Sequence, residues 1–227
     1  MISIFLLDPR QTLLHWIQTE MVYWTSNLNF IFLTLTLYRN DDPYGPYYPG
    51  PDVIDWVGIS LYNFNRDNGQ TSPVVPGAFS DPNSQYTLED PQYPFYTLYV
   101  KNTGKPFIFS ETGSAVDYNF PGQRAVVTTP PSVAQETITK QSWWKEILNQ
   151  SLGANGSFPA LKGAVWFEEM KTESAYQDAT ANVLRDYRIT ANATVRSAFY
   201  KDLTSTGQVT SPGKFSFSCN GDFRFTN

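Results

Sequence analysis

Three short apolar runs along the chain, at 53–61, 105–110 and 163–167, predict buried β-strands. Apolar residues follow one another in these runs with little alternation, which is typical of parallel strands that are covered on both faces. Two further segments, 133–150 and 193–203, carry apolar residues at helical spacing. The order of strand, loop and helix therefore predicts βα units and an α/β fold built on a parallel sheet.

The segments that connect the predicted elements are polar and rich in turn-forming residues. Residues 41–52 form a loop because Pro and Gly oppose helix and central strand, residues 64–90 form a long excursion, and a short helix is expected near 92–101. Long loops after the strands are typical of a (β/α)8 barrel, whose active site lies at that end. An open doubly wound sheet is the structural alternative, although no Gly-rich phosphate loop follows any predicted strand.

The most apolar stretch, 28–37, is too short to span a bilayer. A buried strand is one interpretation, but the stretch fits poorly between turn-forming residues at 26–27 and 40–43. Our preferred interpretation is that 28–39 is foreign to the fold, for instance translated non-coding sequence. Residues 1–20 are left unassigned: they have no basic region before the short apolar run, which ends at Asp8, so they do not form a credible signal peptide.

The composition of the chain limits the partners and the types of reaction that we expect for it. The formal net charge of −5 argues against a nucleic acid or an anionic membrane as partner. The chain has one cysteine, Cys219, and one histidine, His15, which leaves no basis for an internal disulfide, a metal site or a Ser-His-Asp triad. We expect no cofactor, and hydrolysis would have to use carboxylates. Aromatic residues make up 16% of the chain, which suits either sugar binding or a well-filled core.

One carboxylate stands out by its position. The apolar run at 105–110 leads directly to Glu111, and we expect a turn at Gly113 immediately after it. A buried strand would hold such a side chain rigidly at its carboxyl tip. A retaining glycosidase needs one ionised carboxylate as nucleophile and a second carboxyl about 5–5.5 Å away as acid/base. The alternative is a structural glutamate that caps or pairs at a strand end.

Several motifs together resemble glycoside hydrolase family 26, whose best-known members are endo-β-1,4-mannanases. In chain order they are VYWTSN at 22–27, DWVGISLY at 55–62, KPFIFSETGS at 105–114, KGAVWF at 162–167 and DYRIT at 186–190. The resemblance implies that 21–204, apart from 28–39, is the C-terminal half of a truncated (β/α)8 barrel with strands five to eight. Residues 205–227 would be a C-terminal tail.

The resemblance also implies roles for individual residues. Glu111 matches the nucleophile, and Tyr62 matches a tyrosine that hydrogen-bonds and orients it. Trp166 matches an aromatic floor under the sugar, with core packing as its alternative. Four residues of the 41–52 loop are candidates to line the cleft, with a solvated turn as the alternative: Asp41, Asp42, Tyr47 and Tyr48.

The family's acid/base carboxyl comes from the end of strand four, and no residue here matches it; Glu168 and Glu169 do not fit that role. The resemblance therefore predicts a retaining, endo-acting hydrolase of a β-linked plant-type polysaccharide, with mannan first, that is secreted when complete and inactive as this chain alone. Alternatives are a non-catalytic carbohydrate-binding remnant and an unrelated α/β hydrolase or structural domain. The last is disfavoured because the chain lacks a Gly-x-Ser-x-Gly elbow.

Overall fold

The structure is a computed structural model. The residues that it describes are 2–6, 31–35, 44–64, 66–67, 70–149, 156–176, 178, 180–205, 214–217 and 223–226.

The described residues form a mixed α/β structure. Its strands are β1 (Ile2–Leu6), β2 (Ile31–Leu35), β3 (Trp56–Asn63), β4 (Arg66–Asp67), β5 (Gln70–Thr71), β6 (Phe107–Ser114), β7 (Val116–Asn119), β8 (Leu161–Phe167), β9 (Met170–Ser174), β10 (Asn182–Asp186), β11 (Lys214–Phe217) and β12 (Phe223–Thr226). Its α-helices are α1 (Val133–Leu148) and α2 (Ala193–Ser205), with a 3₁₀ turn at Gly45–Tyr47 and a π-helical turn at Tyr96–Lys101. None of these helices is long and apolar enough to cross a membrane.

A five-stranded sheet organises the molecule. Its strand order is β1-β8-β6-β3-β2, and β2, β3, β6 and β8 run parallel, while β1 pairs antiparallel with β8. Within the described residues β1 and β2 are its two edges. A three-stranded antiparallel sheet, β7-β10-β9, lies beyond the carboxyl ends of β6 and β8, and β11 and β12 form a hairpin. The described residues thus have mixed α/β content with small sheets, and the partial barrel stays a prediction.

The three predicted strands and both predicted helices are present with shifted ends. The strand expected at 105–110 runs on to Ser114 as β6, so Glu111 lies inside the strand and not at its tip. Our expectation of a turn at Gly113 was wrong for the same reason, since this glycine continues the strand.

The segment that we expected to be foreign contains a strand. Ile31–Leu35 pairs in parallel with β3, from Ile31 opposite Trp56 to Leu35 opposite Ser60. An uncharged run rich in β-branched and aromatic residues supplies the composition of a strand, and β3 offers an unpaired edge for it. Residues 31–35 are thus a strand of the sheet, and the foreign origin of 28–39 stays a prediction. The proposed fifth strand at 22–27 lies outside the described residues.

Alternation along the strands divides the sheet into two faces. Residues at every second position, among them Val57, Phe107 and Ala164, belong to the main core, which also contains buried residues of α1 and α2. Their neighbours along the strands form a separate cluster of Trp56, Ile108 and Val165. Because successive side chains of a strand point to opposite faces, the sheet has a helix-covered face and an opposite face, here called the inner face.

Candidate active site

A β-bulge in β6 defines the position of Glu111. Against β3, Phe109 pairs with Ile59 but the next pair is Glu111 with Ser60, so Ser110 is an extra residue. The register between β6 and β8 shifts over the same stretch. A bulge adds one residue to one strand and re-aims the side chains that follow it, and bulges are common beside active sites.

The bulge places Glu111 on the inner face. In β3, Ile59 and Leu61 belong to the helix-side core, so Ser60 and Tyr62 lie on the opposite face. Residues that pair directly across two strands share a face, and Glu111 pairs with Ser60. Glu111 and Tyr62 therefore lie on the same side of the sheet on adjacent strands.

The Tyr62 phenol and the Glu111 carboxylate interact across the two adjacent strands. The pKa of the Tyr62 phenol is raised far above its usual value, first by burial and then by the neighbouring Glu111 carboxylate. The phenol therefore stays protonated beside the carboxylate, and the orienting role that the family resemblance implies for Tyr62 stays a prediction. Glu111 is partly exposed, so its carboxylate remains accessible while it is held.

Aromatic rings surround the hydroxyl–carboxylate pair. The ring of Tyr62 lies 5.8 Å from that of Phe64, 6.1 Å from that of Phe167 and 5.4 Å from that of Tyr187, measured between centroids. Phe64 is 53% exposed, whereas Tyr187 is buried. The inner face beside Glu111 thus carries a cluster of aromatic rings, two of them from tyrosines.

Gly113 permits this packing. A Cβ at position 113 would lie 3.0 Å from Cδ1 of Tyr187 and 3.4 Å from Cε1 of Tyr62. A larger residue would push these two rings apart, and Tyr62 would move away from Glu111. The glycine after the candidate nucleophile is therefore required for close approach and not for a turn.

The three-stranded sheet places charged groups at the rim of the aromatic cluster. Arg185 Nε lies 2.8 Å from Asp117 Oδ1, and both side chains are buried. Arg185 also pairs with Glu173, and Glu173 Oε1 lies 2.7 Å from Lys171 Nζ. The Lys171 ammonium sits 4.9 Å from the centroid of the Phe167 ring. The ion pair with Glu173 thus holds the Lys171 ammonium over the Phe167 ring.

The position of Trp166 differs from the one expected for an aromatic floor under a bound sugar. Its side chain is 1% exposed, its indole N–H donates to the Tyr187 carbonyl at 2.8 Å, and its ring lies 6.4 Å from that of Trp144. Trp166 lies on the helix-covered face, which matches the core-packing alternative. The next residue, Phe167, is the aromatic side chain of β8 that reaches the site.

Of the loop residues proposed to line the cleft, the structure describes Tyr47 and Tyr48. Tyr47 is 74% exposed. Tyr48 is half-buried, with its ring 4.9 Å from that of Tyr99, in the segment that leads into the amino end of β6. Burial raises the pKa of the Tyr48 phenol. Asp41 and Asp42 lie outside the described residues.

Glu168 has a structural role. It is 5% exposed, and its carboxylate accepts hydrogen bonds from the backbone N–H groups of Ile189 at 2.9 Å and Thr190 at 2.7 Å, and from the Thr190 hydroxyl. Glu169 is exposed. Neither was expected to be the acid/base, and the geometry gives Glu168 the task of holding the turn after β10.

Sequence reasoning missed several residues around Glu111, namely Phe64, Phe167, Lys171, Glu173, Arg185 and Tyr187. Counting alternate positions along β8 could have identified Phe167, because Trp166 and Phe167 must point to opposite faces. No comparable pattern marked the others, since they belong to loops or to strands with polar sequences.

Comparisons with known proteins supply no family. No protein-family model matches the chain, and no curated protein matches it in sequence. The resemblance to family 26 therefore stays a prediction that rests on the motifs themselves. Within the described residues no group of three or more His, Cys, Asp or Glu side chains is arranged to hold a metal ion.

Proposed function

We propose that this chain carries the nucleophile half of a retaining glycosidase that acts on a β-linked polysaccharide. The observation that carries the proposal is Glu111 itself: a partly exposed carboxylate on a β-bulge, beside a phenol that burial keeps protonated. This arrangement is rigid, ionisable and accessible at once, which covalent catalysis at an anomeric carbon requires.

The chemistry follows from the two groups. A carboxylate oxygen of Glu111 attacks the anomeric carbon, the bond to the leaving oxygen breaks, and a covalent glycosyl-enzyme forms. Tyr62, on the adjacent strand, holds the carboxylate in position by donating its hydroxyl proton to it in a hydrogen bond.

Protonation of the leaving oxygen needs a second carboxyl. Nearby carboxylates of the described residues have other partners: Glu168 holds the turn after β10, and Asp117 and Glu173 are paired with Arg185. We therefore propose that the chain as printed reacts only with glycosides whose leaving group departs without a proton.

The aromatic surface supports a sugar as substrate. The exposed ring of Phe64 and the half-buried ring of Phe167 flank Tyr62, and flat apolar faces suit the C–H faces of sugar rings. The family resemblance makes a neutral β-mannan the first choice among polysaccharides.

An activated aryl glycoside tests the proposal without an acid/base residue. We expect the 227-residue chain to release dinitrophenolate from 2,4-dinitrophenyl β-mannoside faster than from the matching glucoside or xyloside, as followed by absorbance. Glu111→Gln is the matched control, because it keeps the shape of the side chain and removes its charge. Equal release by this variant and by the parent chain would refute the assignment.

The second candidate function is carbohydrate binding without cleavage. The exposure of Phe64 and Tyr47 favours it, because a binding surface needs aromatic faces but no nucleophile. Calorimetry with mannohexaose separates the two: binding without any dinitrophenolate release would support the binding module.

A further inference from the structure

We propose that Thr112 is a positioning residue that sets the spacing between Glu111 and Tyr62, with Trp143 orienting its hydroxyl. This inference rests on the proposed function, since it concerns how the nucleophile is held. Thr112 lies directly after Glu111 in β6, and Leu61 lies directly before Tyr62 in β3.

The Thr112 hydroxyl joins the two strands behind the site. Its Oγ1 donates to the backbone carbonyl of Leu61 at 2.6 Å, and the two residues are register partners directly after the bulge. The Thr112 side chain is fully buried on the helix-covered face. A side-chain hydrogen bond therefore ties the backbone beside Glu111 to the backbone beside Tyr62.

Trp143 of α1 fixes the direction of this bond. Its indole Nε1 lies 2.8 Å from Thr112 Oγ1, and its side chain is 0% exposed. An indole N–H can only donate, so the threonine oxygen accepts from Trp143 and its own proton is directed to the Leu61 carbonyl. The helix thus holds the hydroxyl in one orientation.

The bulge explains why the hydrogen bond from Thr112 to Leu61 matters. An extra residue disrupts the local ladder of backbone hydrogen bonds, which loosens the register where Glu111 must meet Tyr62. Small displacements of a reacting group are costly, since a shift of about 1 Å can slow a reaction about a hundredfold. A buried hydroxyl that bridges the two backbones restores the spacing without occupying the inner face.

Thr112→Val tests the role, because it removes the hydroxyl and keeps the branched shape. The probe is 2,4-dinitrophenyl 2-deoxy-2-fluoro-β-mannoside, whose mannosyl group would remain on the nucleophile, and intact-mass spectrometry of the 227-residue chain gives the rate constant and half-saturation concentration of labelling. We expect the valine variant to lose about tenfold in rate constant with unchanged half-saturation, as a modest loss of alignment should. Thr112→Ser, which keeps the hydroxyl, should recover most of that loss.

Thr139→Val is the matched control for stability. Thr139 is also fully buried, and its hydroxyl bonds the Thr71 carbonyl at 3.4 Å, away from Glu111. A structural effect alone would slow labelling in both valine variants and would track their melting temperatures.

The outcomes separate the inference from the proposed function. If the parent chain is labelled and Thr112→Val is labelled with the same rate constant, the role of Thr112 is overturned. Glu111 would then remain the nucleophile. No rescue by serine would also overturn the role of Thr112. Absence of labelling in the parent chain would overturn the proposed function, and the role of Thr112 with it.

Discussion

β6 and β8 each lead from an apolar run to a glutamate, but the two glutamates have opposite environments. Glu111 lies within β6 after its apolar residues, and Glu168 directly follows β8. Glu168 is buried and accepts hydrogen bonds from the turn at 189–190, whereas Glu111 is partly exposed and lies beside Tyr62.

This difference shows that a carboxylate at the end of a buried strand is only a candidate for catalysis. The partners of Glu168 come from the segment after β10, far along the chain, so no local pattern reveals them. Glu111 is distinguished by the bulge that turns it to the inner face and by access from solvent. The contrast can be tested by changing one glutamate at a time.

Glu111→Gln should have the largest effect on reactivity. Removing the nucleophilic charge should lower the rate of dinitrophenolate release at least about a thousandfold with little change in sugar affinity, because the charge acts in the transition state. Steady-state rates for this variant and for Glu168→Gln measure the contrast. A comparable loss of rate in a fully folded Glu168→Gln protein would contradict the proposed difference between the two glutamates.

Trp166→Ala should have the largest effect on stability. A fully buried indole that packs against Trp144 and bonds the Tyr187 carbonyl should contribute about 3–5 kcal/mol to the free energy of unfolding. Urea denaturation measures this loss. Phe167→Ala is the control from the inner face, and we expect it to weaken oligosaccharide binding more than it lowers stability. The reverse result for the two variants would restore Trp166 as the sugar-binding floor.

Glu168→Gln should destabilise the protein by about 2 kcal/mol, because the carboxylate accepts hydrogen bonds that a neutral amide satisfies less well. Urea denaturation at neutral pH measures the change. Glu169→Gln changes an exposed neighbour and should leave the free energy of unfolding nearly unchanged. Equal effects of the two substitutions would remove the structural role of Glu168.

The smallest effect concerns a third carboxylate. Burial raises the pKa of Glu146 above its usual value, although backbone N–H groups at 77–79 oppose the rise. The folded state thus holds this proton more tightly than the unfolded state, so stability falls as the pH rises from about 4.3, the usual glutamate value, through the folded-state pKa. Melting temperatures across this range should show a shallower decline for Glu146→Gln, and an unchanged decline would contradict the raised pKa.

Sequence reasoning was effective where burial alone determines the structure. Apolar runs predicted the regions of β3, β6 and β8, and helical spacing predicted α1 and α2. The three-stranded sheet was missed because β9 and β10 carry side chains such as Lys171, Glu173 and Arg185, whose ion pairs form only after folding. Polar strands stabilised by distant partners leave no periodic apolar pattern.

For the site, the motifs singled out Tyr62 and Glu111, which lie on adjacent strands, but not the residues that surround them. Trp166 was chosen over Phe167 because the motif was matched without counting which face each residue of β8 occupies. The bulge at Ser110 was also beyond prediction, since an extra residue in one strand is visible only against the partners on both sides. The pairing of Ile31–Leu35 with β3 could not be predicted, because the edge of β3 is not evident from the sequence.

The position of the covalent label tests the central claim most directly. After reaction of the 227-residue chain with 2,4-dinitrophenyl 2-deoxy-2-fluoro-β-mannoside, protease digestion and tandem mass spectrometry locate the added fluoromannosyl group. The account predicts an ester on the carboxylate of Glu111 and no label in Glu111→Gln. A label on another carboxylate, or equal labelling of the variant, would contradict it.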